Sequence, residues 1–109
     1  MAELARAGRR FLVAPGTSSW NTLFPRIDNA NQNIRTMARE AVTHGAAGLL
    51  NTDWGDGGHY QPLGQSWYGL AYGAEQAWTG GTTSDDTFDP AFGRLFFGAA
   101  HGEAVVAAM

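Results

Sequence analysis

The stretch Asn51-Thr52-Asp53-Trp54-Gly55-Asp56-Gly57-Gly58-His59 holds the densest set of chemistry-bearing side chains in the chain. A tryptophan stands between two carboxylates, three glycines free the backbone, and a histidine closes the run. An indole offers a flat apolar wall for the C–H face of a sugar. A carboxylate two residues on accepts hydrogen bonds from hydroxyls at the sugar's edge. Trp54 and Asp56 therefore read as a sugar subsite, with Asp53 and His59 as supports. The other reading of the same residues makes Trp54 a plug at the mouth of the fold and Asp56 a cap on the glycine turn.

Other constellations point to chemistry less well. Asp53, Asp56 and His59 are hard oxygens and an imidazole, but their spacing matches neither a calcium loop nor a helical histidine pair, so no metal is expected. Ser18 or Ser19 with His44 or His59 and an aspartate suggests a hydrolase triad, yet the Gly-x-Ser-x-Gly elbow that would expose the nucleophile is missing. Thr17, Ser18 and Ser19 are expected to satisfy backbone groups or to touch a ligand's hydroxyls. The adjacent carboxylates Asp85-Asp86 fall in a Thr/Ser-rich connector and read as a solvated loop. Arg26 and Asp28 read as ordinary helix-entry residues, with Asp28 at the positive end of the helix dipole. Glu75 reads as a solvated helix residue.

Composition narrows the partners. The net charge is −3 with only seven basic residues, which argues against nucleic acid or an anionic membrane surface. Four tryptophans and fifteen glycines suit a neutral, hydroxyl-rich ligand. The absence of cysteine removes disulfides, thiolate metal sites and a cysteine nucleophile, and fits a reducing compartment. No apolar run is long enough for a membrane span or follows the basic start as a signal peptide would require. Together these lean toward the cytoplasm.

The elements that must position the loop can be read in order. Residues 2 to 8 form a helical turn ending at Gly8. Phe11-Leu12-Val13-Ala14 reads as a buried strand stopped by Pro15-Gly16, with the polar run Thr17 to Asn21, including Trp20, at its carboxyl end. Ile27, Ala30, Ile34, Met37 and Ala41 form the stripe of an amphipathic helix over 26 to 43, ended by His44-Gly45. Ala46 to Leu50, apolar on both faces, reads as a second buried strand delivering the glycine-rich loop. Ser66 caps a helix buried through Trp67, Leu70, Ala71, Ala74 and Trp78 and stopped at Gly80-Gly81. Asp89-Pro90 starts a third helix with Phe92, Leu95 and Phe96 inward.

Strand, polar loop, helix, strand, polar loop, helix is the order of an α/β protein with parallel strands. Two such strands cannot cover their own faces, and a closed eight-fold barrel takes about 250 residues. The expected fold is a partial (β/α)8 barrel: two parallel βα units over 1 to 80, then a connector and C-terminal helical extension over 81 to 109. The tail from Glu103 to Met109 carries no clear pattern.

The segments Pro15 to Asn21 and Asn51 to His59, joined by a helix, resemble the last part of the catalytic barrel of family 20 glycoside hydrolases, the β-N-acetylhexosaminidases. The likeness covers about residues 10 to 98. It implies that the two strands are the seventh and eighth of the barrel. In the family the last strand ends in Trp-x-Glu, the tryptophan lining the pocket of the terminal N-acetylhexosamine and the carboxylate holding its outer hydroxyls. Trp54 and Asp56 match with Asp in place of Glu, and Trp20 stands where another pocket tryptophan is expected. Ser19, Asp53 and His59 would support them. The family uses the substrate's own acetamido oxygen as nucleophile, with an adjacent Asp-Glu pair orienting it and protonating the leaving oxygen. No Asp-Glu pair exists in this chain. The resemblance thus implies a C-terminal fragment that contributes part of the sugar pocket and no catalytic residue or cofactor. Its partners would be an N-acetylhexosamine-containing glycan and either the rest of a barrel or further copies of itself. The isolated chain is expected to be inactive. A non-catalytic carbohydrate-binding or self-assembling fragment is the alternative.

Overall fold

The computed structural model describes all 109 residues. Five α-helices follow one another: α1 (Ala2–Arg6), α2 (Ile27–His44), α3 (Trp67–Thr79), α4 (Asp85–Phe97) and α5 (Gly102–Ala107), with a 3₁₀ turn, Leu63–Ser66, leading into α3. The two apolar segments on either side of α2 run parallel, but they meet at only two isolated bridges, Val13 with Leu49 and Gly16 with Thr52. The expected α/β barrel fragment is not what forms. The fold is mostly helical and contains no sheet.

The reason lies in Pro15. Hydrogen bonds run from Ala47 N–H to Phe11, Val13 N–H to Gly48, Leu50 N–H to Val13, Thr52 N–H to Pro15 and Thr17 N–H to Thr52. The missing rung is the one Pro15 would donate, since proline has no N–H. No third segment joins at either side, and a lone pair of strands is marginal in water. Helix packing carries the fold instead.

That packing centres on Ala30 and Ile34 of α2, Tyr68 and Tyr72 of α3, and Phe88 and Phe92 of α4. The rings meet mostly edge to face: Tyr72 on Phe88 at 5.1 Å and 90°, Tyr68 on Phe92 at 5.2 Å and 82°. Such contacts add about 0.5–1.5 kcal/mol each beyond the area they bury. The molecule measures 50 × 34 × 16 Å, a slab whose paired segments lie against α2 and α3. Val13 is buried under the helices while Leu12 and Leu50 point away and stay exposed. The segments are therefore covered on one face, not two.

Sequence periodicity places α2 within a residue of its ends, and Gly45 takes the left-handed conformation at φ 65° that a side chain would resist. In α3 the buried stripe is the opposite one. Tyr68, Gly69, Tyr72, Gly73 and Gln76 face inward, while Trp67 and Leu70 are exposed and Trp78 is 91% exposed. Both stripes repeat at three and four residues, so spacing cannot choose between them. Glycine decides: a Cβ on Gly69 would stand 3.1 Å from Thr17, and one on Gly73 would overlap the side chain of Asn51. Only this face lets the helix backbone reach the loops.

Helix α4 begins at Asp85, not at Asp89-Pro90. Ser84 is extended at its entry, Asp85 and Asp86 occupy its first turn, and Pro90 lies inside it. Two acidic residues suit that turn's positive end. Phe88 and Phe92, on either side of Pro90, both enter the core, which holds the helix together across the bond proline cannot make. Leu95 and Phe96 are exposed. The tail forms α5, which packs closely on α4 where Gly93 meets Gly102. No helix is long and apolar enough to cross a membrane.

Asp85 is no solvated residue. Nη2 of Arg35 reaches its two oxygens at 2.8 and 2.6 Å, and Tyr72 donates its hydroxyl at 2.6 Å. The Asp85 hydrogen bond holds Arg35 charged, raising its pKa. Glu75 likewise accepts a hydrogen bond from Thr83 Oγ1 at 2.7 Å. These partners lie too far along the chain for local pattern to reveal them.

Candidate functional site

Two loops leave the paired segments side by side: Thr17 to Asn21 after the first, Asp53 to Tyr60 after the second. Helix α3 fixes both from below, through Gly69 against Thr17 and through Asn51 Nδ2 donating to the Gly69 carbonyl at 2.9 Å. Helix α2 fixes the first from the side. At its entry Arg26 donates to the carbonyls of Ser18 and Trp20, and Asn29 Nδ2 donates to Ser18 Oγ at 2.5 Å. Arg26 is thus a loop clamp as well as a helix-entry residue.

Thr17, Ser18 and Ser19 are buried, out of reach of any ligand. Thr17 Oγ1 bonds Ser19 Oγ at 2.9 Å and donates to Asp53 Oδ1, while Ser66 Oγ donates to Ser19 Oγ at 3.0 Å. Ser66 thereby serves the loop, making no side-chain cap on α3. The hydroxyls satisfy one another and the Asp53 carboxylate, as buried polar groups must. Neither Ser18 nor Ser19 bonds a histidine. His44 pairs with Glu40 at 3.2 Å on the last turn of α2, and His59 stands 3.8 Å from Asp53. The triad geometry is absent.

Asp53 and His59 lie at the base of the second loop. The carboxylate lies between Thr17 and the His59 ring, and that ring covers Gly55 so closely that a Cβ there would come within 2.5 Å of it. Gly58 N–H closes a turn on the Gly55 carbonyl at 2.8 Å, with Gly57 and Gly58 at φ 71° and 92°. Asp56 sits at the tip of that turn, exposed, and its carboxylate makes no hydrogen bond within the protein. It does not cap the turn. Asp53, Asp56 and His59 do not converge into a group able to hold a metal ion.

Trp54 is no plug either, being 54% exposed. Its indole N–H donates to Thr52 Oγ1 at 2.8 Å, and that hydroxyl in turn donates to the Pro15 carbonyl at 2.8 Å. The polar edge of the ring is tied inward, leaving its face free. Trp20, half-buried, packs over Gly16, where a Cβ would stand 3.0 Å from its ring and 3.3 Å from Thr52 Oγ1. Thr52 is the common neighbour of this arrangement, a role that an unremarkable threonine in sequence gives no sign of. None of the fold's cavities is lined by Trp20, Trp54 or Asp56. The site is an open edge.

No family model, curated protein or solved structure matches the chain. The likeness to family 20 glycoside hydrolases rests on the two loop motifs alone.

Proposed function

We propose that Trp54 and Asp56 grip the outer edge of an N-acetylhexosamine, with Trp20 beside them, as the sugar-holding part of a β-N-acetylhexosaminidase-like glycoside hydrolase whose acid is supplied from elsewhere. The observation that carries this reading is the pairing of an indole face left free, its N–H fixed to Thr52, with a carboxylate at the adjacent turn tip that no group of the protein engages. The two loop motifs support it. An aromatic face and a charged acceptor are what a sugar's C–H face and hydroxyl edge need. The chain has no Asp-Glu pair, so the 109 residues bind without cleaving.

Calorimetric titration with N-acetylglucosamine is expected to show saturable binding that Trp54→Ala abolishes and Asp56→Asn weakens about tenfold, the loss of one hydrogen bond to a charged group. Neither change should disturb the fold. Equal binding by wild type and Trp54→Ala would sink the reading, and so would turnover of an aryl N-acetylglucosaminide by this chain.

A further inference from the structure

Helix α3 is apolar on both sides, and the core takes only one of them. Tyr68, Gly69, Tyr72, Gly73 and Gln76 are buried, which leaves the stripe Trp67, Leu70, Ala71, Ala74 and Trp78 on the outer side, with only Ala71 packed against the core. The helix holds one charged residue, Glu75, and its carboxylate accepts a hydrogen bond from Thr83 Oγ1 at 2.7 Å. The apolar surface continues onto α4. Trp67 meets Phe96 edge to face at 5.2 Å, and Ala71, Leu95 and Phe96 line one groove of about 330 Å³ between the two helices.

Size and symmetry say what covers this face. Trp78 is 91% exposed, Leu95 86%, Trp67 50%, Phe96 45% and Leu70 38%, which together leave on the order of 600 Å² of apolar side chain in water, taking about 200–250 Å² for a whole aromatic side chain. That is the upper end of what a monomer leaves uncovered. Two such faces joined bury about 1,200 Å², the size at which specific interfaces begin. Trp67, Ala71, Ala74 and Trp78 stand four, three and four residues apart, so the stripe has the same spacing in both directions. A two-fold axis between Ala71 and Ala74 sets Trp67 of each copy against Trp78 of the other and puts the small residues where the helices cross. A surface that is its own complement is what an isologous dimer needs. The bulky ends stand about 16 Å apart along the helix, and the groove beside Phe96 gives Trp78 of the second copy a place to lie.

We propose that α3 is a dimer interface, packing antiparallel on α3 of a second copy of this chain, Trp67 against Trp78 and Ala71 against Ala74. Analytical ultracentrifugation of the full chain tests it, and at high micromolar concentration the mass is expected at twice 11.6 kDa. Ala74→Glu, at an exposed helix position, places two like charges at the crossing and should give a monomer with unchanged circular dichroism. Trp78→Ser should weaken association about tenfold or more. Leu50→Glu, 58% exposed on the paired segments, should leave the dimer intact. A monomer at every concentration up to millimolar overturns the proposal, and if that monomer sediments with phosphatidylcholine vesicles the stripe belongs to a membrane surface instead. A dimer that Leu50→Glu breaks and Ala74→Glu does not overturns it equally.

Discussion

The helical core and the loop edge solve opposite problems with the same kinds of residue. In the core, Tyr68 and Tyr72 bury their rings and send their hydroxyls to Asp89 and Asp85, so aromatic and acidic side chains are consumed by each other. At the edge, Trp54 and Asp56 lie two residues apart and share no hydrogen bond; the indole N–H is tied to Thr52 and the carboxylate has no hydrogen-bond partner. One region uses aromatic and acid to close the protein, and the other leaves them available. Residue type therefore does not mark a binding site; unspent bonding capacity does.

Removing a core ring should break the comparison most severely. Phe88→Ala empties a position packed against Tyr68, Tyr72 and Phe92 and is expected to cost about 3–5 kcal/mol, read as a lower urea midpoint. That is a large share of what a domain of this size holds. Trp54→Ala, equally aromatic, should leave the midpoint within about 0.5 kcal/mol.

Alkali sharpens the contrast. Burial first, then the hydrogen bonds to Asp89 and Asp85, raise the pKa of Tyr68 and Tyr72 above the ordinary 10.0. The unfolded chain releases these protons near pH 10 while the fold retains them. Their contribution is whole below pH 10 and declines as the pH climbs beyond it. Melting temperature should fall steeply from pH 10 upward, and Tyr72→Phe should start lower but fall less. A slope identical in both proteins would show that Tyr72 does not carry the effect.

Thr52 should lose less than the core does. Thr52→Val removes the hydroxyl between Pro15 and the Trp54 indole and should cost about 1 kcal/mol, while making Trp54 fluorescence more mobile in anisotropy. Unchanged anisotropy would mean that the bond does not hold the ring.

Local pattern was enough for α2, because an 18-residue helix with one apolar stripe and a left-handed glycine at its end admits one reading. It was enough to bring the loops at Trp20 and Trp54 beside each other, since the segments before them do run parallel. It failed where two answers share one periodicity, as in α3, whose burial was decided by Gly69 and Gly73 fitting Thr17 and Asn51. It failed again at Asp85, whose partner Arg35 lies fifty residues away in the chain. The barrel expectation failed for want of anything to pair with: two segments with apolar residues on both faces read as buried strands, and only one face is covered. At the loop edge, the roles of Thr52 and Arg26 could not be read from sequence, because they are set by what folds against them.

Pro15 has one more consequence. With no N–H to offer Leu50, the pairing is interrupted between its two points of attachment. The Val13 end belongs to the core; the Thr52 end bears the edge. In hydrogen exchange the amides of Thr17 and Thr52 should therefore lose protection earlier than those of Val13 and Leu50, so that a single missing proton lets the loop edge breathe on its own clock while the helices stay shut.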